Sequence, residues 1–304
     1  MRTKNPAATE QRNARSRNLD QKSTRDILRI INREDAEVAH AVRREIPKIA
    51  RAVDEIAARL RSGGHLFYIG AGTSGRLGVL DASEVPPTFG VRQTLVQGII
   101  AGGNRALTSS IEGAEDHPES GAGDLRERGL RASDAVVGIA ASGSTPYVLG
   151  ALKFARSRGA YTIALTTNRA TPVSRIAHLT IAPVTGREVI AGSTRMKSGT
   201  AQKMVLNMIS TATMTRLGYI YDNWMIGVAK SNDKLCRRAE RNLGEATGAD
   251  LRTAQRILKQ AEGDLRVALV MLKSGVDLQA ARNALAQHQG DVRRALRNSG
   301  SGRA

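Results

Sequence analysis

The chain has 304 residues, which is enough for one large domain or for a medium-sized domain with a smaller partner. Apolar residues make up 41% of the sequence but aromatic residues only 3%, so the core must be built mainly from aliphatic side chains. The net charge of +18 suits a nucleic-acid partner, yet three Phe, five Tyr and one Trp offer few rings for base stacking and argue against that class.

The first 22 residues are basic and lack the apolar segment of a secretory signal peptide, so we predict a flexible N-terminal arm. No uninterrupted apolar stretch approaches the roughly 20 residues of a membrane-spanning helix. Cys236 is the single cysteine, which excludes an intrachain disulfide. These features predict a cytoplasmic protein with neither a membrane nor a nucleic acid as partner.

Residues 23–60 are predicted to be helical, because apolar residues recur at spacings of three, four or seven along one face. Ser23 or Thr24 is a candidate cap for the first helix. Pro47 is expected to break or restart the helical run, and a Gly-Gly pair at residues 63–64 ends it.

Short apolar runs rich in β-forming residues begin at residue 65. Segments long enough for helices separate them, a pattern typical of a parallel α/β sheet that is covered on both faces. Sheets of this kind bind ligands at the carboxyl ends of their strands. The predicted strands cover residues 65–70, 94–100, 135–141, 161–166 and 179–183.

The C-terminal part of the sequence is predicted to be helical. Residues 192–217 indicate a capped helix that ends at Gly218. Further on, residues 247–269 align with residues 274–296 as a 27-residue duplication, which predicts a duplicated helix pair. The predicted parts are an arm of residues 1–22, an α/β domain of residues 23–232 and a small all-helical domain of residues 233–304.

The stretch GAGTSGR at residues 70–76 directly follows the first predicted strand and has the composition of an anion-binding turn. In a glycine-rich turn before a helix, the backbone at Gly72 and the hydroxyls of Thr73 and Ser74 can point at one anion. A tight turn with a purely structural role is the alternative.

A second turn of this kind, ASGSTPY at residues 141–147, follows another predicted strand. Its hydroxyls belong to Ser142, Ser144 and Thr145. Two hydroxyl-rich turns at neighbouring strand ends together predict a phosphate-binding site.

Two groups of carboxylates are candidates for acid and base chemistry. Glu84 stands just before the pair Pro86-Pro87, which suggests a stiff turn, and Glu115 lies in the acidic segment EGAED. Two carboxylates that converge beside a sugar phosphate could share proton transfers, whereas solvated loop acids are the plain alternative. The five His residues show no metal-ligand spacing, so no metal is expected.

Together these stretches resemble the N-acetylmuramic acid 6-phosphate etherases of bacteria, a family of the sugar isomerase (SIS) superfamily of phosphosugar-binding domains. The resemblance covers nearly the whole chain and rests on YIGAGTSGRLGVLDASEVPPTFG, IAGGN, EGAED, IAASGSTPYV and GSTRMKSGTAQKMVLNMISTATM. It implies a five-stranded, flavodoxin-like SIS sheet flanked by helices. It also implies a homodimer that uses neither a metal nor an organic cofactor.

The family's functional residues carry over where this sequence matches the family motifs. Glu84 in DASE and Glu115 in EGAED match the two acid/base carboxylates. Two positions depart from the family pattern, since Ala140 replaces the first serine of Ser-x-Ser-Gly-x-Thr and Ser144 stands where many etherases carry Arg. The phosphate-binding candidates are Gly72, Thr73, Ser74, Ser142, Ser144 and Thr145, and further substrate-site candidates are Ser83, Ser193, Arg195 and Lys197.

The reaction implied by the resemblance is cleavage of the D-lactyl ether of N-acetylmuramic acid 6-phosphate by elimination followed by hydration, in amino-sugar recycling or catabolism. A phosphosugar isomerase is one alternative, because it would use the same carbon-2 proton without a leaving-group acid. A non-catalytic phosphosugar sensor is another. The transcriptional kind of sensor would need a DNA-reading helix-turn-helix domain, of which residues 1–60 show no convincing sign.

Overall fold

A computed structural model describes residues 8–227 and 233–299. The chain forms two compact units. The first comprises the described residues up to Ser83 together with Thr94–Ser210, and the second comprises Glu84–Gln93 together with the described residues from Thr211 onward. The domain limits expected from the sequence stay a prediction, and the limit at residue 232 falls within residues 228–232, outside the described residues.

The first unit is built on a five-stranded parallel sheet with the strand order β2-β1-β3-β4-β5. Every strand lies within one of the predicted apolar runs, so the predicted α/β fold class is confirmed. The central strands β1, β3 and β4 are buried along their whole length, as expected for a sheet covered on both faces. The strands are β1 (Leu66–Gly70), β2 (Val96–Ile100), β3 (Ala135–Ile139), β4 (Tyr161–Leu165) and β5 (Leu179–Ile181).

Helices cover the sheet, and two of them start at the residues that the sequence suggested. The Ser23 side chain accepts a hydrogen bond from the Asp26 N–H and so caps the first helix, and Pro47 lies in the first turn of the second. The helices are α1 (Thr24–Arg43), α2 (Ile46–Arg61), α3 (Gly72–Phe89), α4 (Pro118–Glu127), α5 (Pro146–Ser157), α6 (Pro172–Ile176) and α7 (Lys197–Arg216). The last residues of α3 and α7 belong to the second unit.

Helix α7 begins at Lys197, five residues later than predicted. The carboxylate of Glu188 determines this start, because it is buried and accepts the backbone N–H groups of Lys197 at 3.0 Å and Ser198 at 2.9 Å. These N–H groups have no acceptor within the helix, and a negative charge at a helix N-terminus is favourable. The sequence offered no local sign of this cap, since Glu188 stands nine residues before Lys197.

The pair Pro86-Pro87 does not form the turn that the sequence suggested. Both prolines lie inside α3, which continues to Phe89. Proline lacks a backbone N–H, so the carbonyls of Ala82 and Ser83 lose their helical donors near the C-terminal end of the helix. Glu84 therefore lies on a helix rather than beside a stiff turn.

The N-terminal segment is held against the first unit over the residues that the structure describes, which differs from the expected flexible arm. Residues 8–21 form three short 3-10 helices, Ala8–Glu10, Ala14–Ser16 and Leu19–Gln21. The Thr9 carbonyl accepts the Gly192 N–H at 2.8 Å, and the Ser16 hydroxyl donates to the Val189 carbonyl at 2.7 Å. These partners lie more than 170 residues away in sequence, so the local composition could not reveal them.

The second unit is a small helical bundle preceded by a β-hairpin. In the duplicated part, Asp250 and Asp277 occupy equivalent positions and cap α9 and α11 by accepting the N–H groups of Thr253 and Ala280. The duplicated sequence thus starts its helices in the same way twice. The elements are β6 (Ile220–Tyr221), β7 (Trp224–Met225), α8 (Asp233–Thr247), α9 (Leu251–Gln260), α10 (Leu265–Ser274), α11 (Leu278–Gln287) and α12 (Val292–Ser299).

A buried carboxylate joins α3 to α7 within the first unit. Asp81 accepts hydrogen bonds from Asn207 Nδ2 at 2.6 Å and from Ser210 Oγ at 3.1 Å. Burial raises the pKa of Asp81 and outweighs these two hydrogen bonds, which lower it, so the pKa lies above its ordinary value. Because its pKa is higher in the folded than in the unfolded chain, ionisation of Asp81 costs folding free energy as the pH rises through that interval.

Asp81→Asn is expected to remove this pH dependence. The amide oxygen still accepts from Asn207 and Ser210, so the fold should persist. Relative to the variant, the wild type should lose stability with rising pH, by at most about 1.4 kcal/mol per pH unit in the interval where only the unfolded form is ionised. Thermal unfolding between about pH 3 and pH 8 measures the difference, with the exposed Asp20→Asn as the control. A constant difference between wild type and Asp81→Asn would contradict the prediction.

Candidate functional site

The two hydroxyl-rich turns follow neighbouring strands of the sheet. Strands β1 and β3 pair in parallel, and their last residues, Gly70 and Ile139, are partners in the register. Strand β2 lies on the other side of β1, so the chain leaves β1 towards one side of the sheet and β3 towards the other. A point where the strand order reverses in this way opens a crevice at the carboxyl ends, which is the usual ligand site of such sheets.

In the first turn, Gly72, Thr73 and Ser74 lie in the first turn of α3 rather than in a loop before it. The first N–H groups of a helix have no acceptor within the helix, and together with the helix dipole they favour an anion. Gly72 has a φ of +52°, which favours glycine there. A Cβ atom on Gly75 would lie 2.6 Å from the Gly70 carbonyl oxygen, so glycine is also needed where the helix begins close to the strand.

Ser74 has a buried partner that the sequence did not single out. Its hydroxyl donates to Gln202 Oε1 on α7 at 2.9 Å, and both side chains are buried. The amide nitrogen Nε2 of Gln202 is buried without a hydrogen-bond partner among the described residues. If the amide turns by 180°, Nε2 donates to Ser74 Oγ and the hydroxyl proton becomes free for an anion. Gln202 lies within the quoted motif GSTRMKSGTAQKM, but nothing in its spacing pointed to Ser74.

If the first turn binds a phosphate, replacement of Gln202 should affect that binding. In Gln202→Glu the ionised carboxylate can only accept, so it keeps the Ser74 proton and repels the anion. We expect KM for a phosphosugar substrate to rise by roughly 10-fold or more with a smaller change in kcat, which is the size of one charge-assisted hydrogen bond. Steady-state kinetics measure this, and Gln255→Glu on α9 is a control of the same chemistry. Equal KM values in the two variants would refute the role of Gln202.

In the second turn, Ser142 and Ser144 are hydrogen-bonded to each other. Ser142 Oγ accepts the Ser144 N–H at 3.2 Å and the Ser144 hydroxyl at 3.0 Å, while Thr145 is the residue before α5 and makes no side-chain cap. Gly143 has a φ of +74°, and a Cβ there would lie 2.4 Å from Thr171. The Ser142 hydroxyl is thus held just before α5, and the Thr145 side chain does not cap the first N–H groups of that helix.

Glu115 lies in a short 3-10 helix, Ala114–Asp116, on the connection that follows β2. Its side chain is exposed, whereas the neighbouring Ala114 packs on the core cluster that contains Tyr147. This packing fixes the backbone that carries the carboxylate. Because β2 is adjacent to β1, this connection leaves the sheet beside the first turn.

Glu84 is exposed on α3, where the second unit begins. The preceding Ser83 is also exposed, and its hydroxyl donates to the Leu80 carbonyl of the same helix at 2.8 Å. Glu115 belongs to the first unit, so the two candidate carboxylates belong to different compact units.

The other three candidates lie around the start of α7. Ser193 is half-buried and Arg195 is exposed, both in the segment before the helix. Lys197 is buried, and its ammonium donates to Glu34 Oε2 at 2.7 Å and to the Thr185 carbonyl at 3.0 Å. The structure therefore places Lys197 in a buried ion pair, a role that the sequence did not suggest.

Among residues 8–227 and 233–299, no group of three or more His, Cys, Asp and Glu side chains is placed to hold a metal ion. Within the same ranges, no helix combines the length and the apolar character needed to cross a membrane.

Family models match two parts of the chain to SIS domains, and a solved structure shares its fold. The model of the glucokinase regulatory protein N-terminal SIS domain matches residues 48–156, and the SIS domain model matches residues 120–212. A solved Bacteroides fragilis protein, provisionally named as a phosphosugar isomerase involved in capsule formation, has the same fold at 20% identity, with a TM-score of 0.50. The alignment covers 67% of this chain and 98% of that protein.

Curated relatives are far more similar in sequence and match most of the chain. The N-acetylmuramic acid 6-phosphate etherase of Symbiobacterium thermophilum is 55% identical over 268 residues, which are 88% of this chain and 89% of the relative. The enzyme of the same name from Pectobacterium atrosepticum is 52% identical over 264 residues, or 87% of each chain.

Proposed function

The chain belongs to the family of N-acetylmuramic acid 6-phosphate etherases, and we propose that it cleaves the D-lactyl ether of N-acetylmuramic acid 6-phosphate. The products are N-acetylglucosamine 6-phosphate and D-lactate. The observation that carries this proposal within the structure is the pair of turns at the ends of β1 and β3, which offers two helix starts and several hydroxyls to one phosphate. The recycling or catabolism of cell-wall amino sugars is the setting that such a reaction serves.

The phosphate serves as the anchor of the substrate. The N-terminal ends of α3 and α5 provide uncompensated N–H groups, and Thr73, Ser74, Ser142 and Thr145 provide hydroxyls close to them. The exposed Ser144 donates its hydroxyl proton to Ser142 Oγ and so supports the second turn, in which the Ser142 proton remains available to the phosphate. Anchoring at carbon 6 leaves the opposite side of the sugar free for proton transfer.

The proposed chemistry follows from the low reactivity of the ether bond in the substrate. Direct displacement at an unactivated ether is slow, whereas the open-chain sugar has an acidic proton at carbon 2 beside its aldehyde. A base removes that proton, the bond between carbon 3 and the lactyl oxygen breaks, and an acid protonates the departing oxygen. Water then adds across the new double bond, which restores a hydroxyl at carbon 3 and a proton at carbon 2.

Glu84 and Glu115 are the carboxylates that we assign to these proton transfers. Glu84 would deliver the proton to the lactyl oxygen, and Glu115 would act on the carbon-2 proton or on the incoming water. The family motifs support the pair, as does the exposure of both side chains. Ser83, Ser193 and Arg195 are further candidates for contacts with the substrate.

Isotopes test the proposed reaction directly. The purified protein is incubated with N-acetylmuramic acid 6-phosphate, and D-lactate is measured. In water labelled with heavy oxygen, elimination and hydration must place solvent oxygen on carbon 3 of the sugar, and in deuterated water they must place deuterium on carbon 2. Heavy oxygen in the lactate hydroxyl instead would mean displacement at the lactyl carbon and would exclude the elimination.

The same assay separates the alternative functions. A phosphosugar isomerase would exchange the carbon-2 proton of a sugar phosphate without releasing D-lactate, and a sensor would bind the phosphosugar without turnover. A substrate that lacks the phosphate should be a poor substrate, and equal turnover of both forms would exclude the anchor.

We also propose that the protein acts as a homodimer, as the family resemblance implies. Light scattering of the full chain at micromolar concentration should give twice the mass of 32.5 kDa. A monomeric mass in a fully active preparation would rule this out.

A further inference from the structure

A cavity of about 390 Å³ lies in the first unit, and its lining includes no residue of the two phosphate turns. It is bordered by the N-terminal segment, by α1 and by the segment that follows β5. Of all the residues considered above for the substrate, only Lys197 borders it. Its wall includes Asn13, Arg15, Glu34, Arg44, Thr185 and Arg187.

A buried carboxylate in the wall is already satisfied by the protein. Glu34 accepts hydrogen bonds from Lys197 Nζ at 2.7 Å, Asn13 Nδ2 at 3.0 Å and Arg15 Nη1 at 3.2 Å. Burial raises the pKa of Glu34, but these bonds outweigh it and hold the pKa below its ordinary value. Glu34 is therefore ionised at neutral pH and fully engaged, so it leaves the other cations of the cavity uncompensated.

Two arginines of the wall have no carboxylate partner among the described residues. Arg187 donates to neutral acceptors, Gln11 Oε1 and the Arg12 carbonyl, each at 3.1 Å. Arg44 is exposed at the far end of α1. Among the described residues of the wall, Glu37 is the only carboxylate besides Glu34, so four cationic side chains accompany two anionic ones. The cavity thus carries an excess of positive charge.

We propose that this cavity binds a small hydroxylated organic anion, independently of the phosphate turns. Arg44 and Arg187 would pair with its carboxylate or phosphate, because a guanidinium matches either group with two parallel hydrogen bonds. The carboxylate of Glu37 and the amide oxygen of Asn13 can accept hydrogen bonds from its hydroxyl groups. The volume of about 390 Å³ fits a molecule of the size of a sugar phosphate rather than a single inorganic ion.

The shared chemistry has two available sources, the phosphosugar product and the hydroxy acid product of the reaction. Isothermal titration of the full chain with N-acetylglucosamine 6-phosphate and, separately, with D-lactate distinguishes them. If the phosphosugar binds in this cavity, its titration shows two binding sites, because the phosphate turns bind it as well. If D-lactate binds in the cavity, its titration shows one site. Inorganic phosphate is the third probe. Either organic anion binding at this cavity supports the proposal.

Arg44→Gln should weaken binding at this site by roughly 10-fold or more, since a charge-assisted pair is lost, and should leave kcat and KM of the etherase reaction unchanged. Arg33→Gln is the matched control, because it changes the same charge on the same helix outside the cavity.

Three outcomes would overturn the proposal. One is that Arg44→Gln weakens the binding of neither organic anion more than Arg33→Gln does. Binding of inorganic phosphate alone counts as this outcome. Another is a rise in the KM of the etherase reaction with a single binding site, which would make the cavity part of the substrate site. The third is a change of molecular mass in Arg44→Gln, which would show that a second copy of the chain fills the cavity.

Discussion

Glu84→Gln and Glu115→Gln are each expected to lower kcat by ~10²–10⁴-fold, with a much smaller change in KM. A glutamine keeps the shape and the hydrogen-bonding reach of the side chain but cannot transfer a proton at neutral pH. Both carboxylates are exposed, so neither substitution should affect folding. Steady-state release of D-lactate from N-acetylmuramic acid 6-phosphate measures the effect, and circular dichroism verifies the fold.

The two variants should also differ from each other in a partial reaction. If Glu115 acts on the carbon-2 proton, Glu115→Gln should lose the exchange of that proton with deuterated water, whereas Glu84→Gln should retain more of it than of lactate release. Glu112→Gln is the matched control, because it lies in the same acidic segment and is exposed as well. An activity of Glu84→Gln or Glu115→Gln within a few-fold of this control would remove that residue from the mechanism.

The sheet and its helices could be predicted because their signals are local. Each strand is a short apolar run, and Ser23 and Pro47 mark helix starts through their own backbone chemistry. The turn residues of the candidate site could be found for the same reason, since the glycines and hydroxyls stand next to each other at the strand ends. The duplication was visible as repeated sequence, and its equivalent caps at Asp250 and Asp277 follow from it.

Features that depend on distant partners could not be predicted. Glu188 caps α7 across a loop, Gln202 reaches Ser74 from 128 residues away, and Glu34 pairs with Lys197 across 163 residues. The turn predicted at Pro86 and Pro87 was wrong for another reason. Prolines near the end of a helix remove few hydrogen bonds, so the helix continues through them. For Glu188, Gln202 and Glu34 the deciding contact belongs to tertiary structure.

The buried ion pair between Lys197 and Glu34 leads to the second large effect. Lys197→Met should destabilise the first unit by about 3–5 kcal/mol, because it leaves the Glu34 carboxylate buried without its main counterion. The two side chains are only 3% and 4% exposed, so water cannot compensate for the loss. Urea denaturation measures the change, and Lys203→Met, an exposed lysine of the same helix, is the control.

Two further measurements distinguish a structural role of Lys197 from a contact with the substrate: the pH dependence of stability, and the stability of a variant in which Glu34 is replaced as well. The pKa of Glu34 is lowered in the folded chain, so its contribution to stability is present above the ordinary pKa of a glutamate and is lost as the pH falls through the lowered value. Relative to the wild type, Lys197→Met should therefore recover at low pH, and Glu34→Gln combined with Lys197→Met should be more stable than Lys197→Met alone. If Lys197→Met instead raises KM while its stability equals that of Lys203→Met, Lys197 acts on the substrate and the buried pair contributes little to folding.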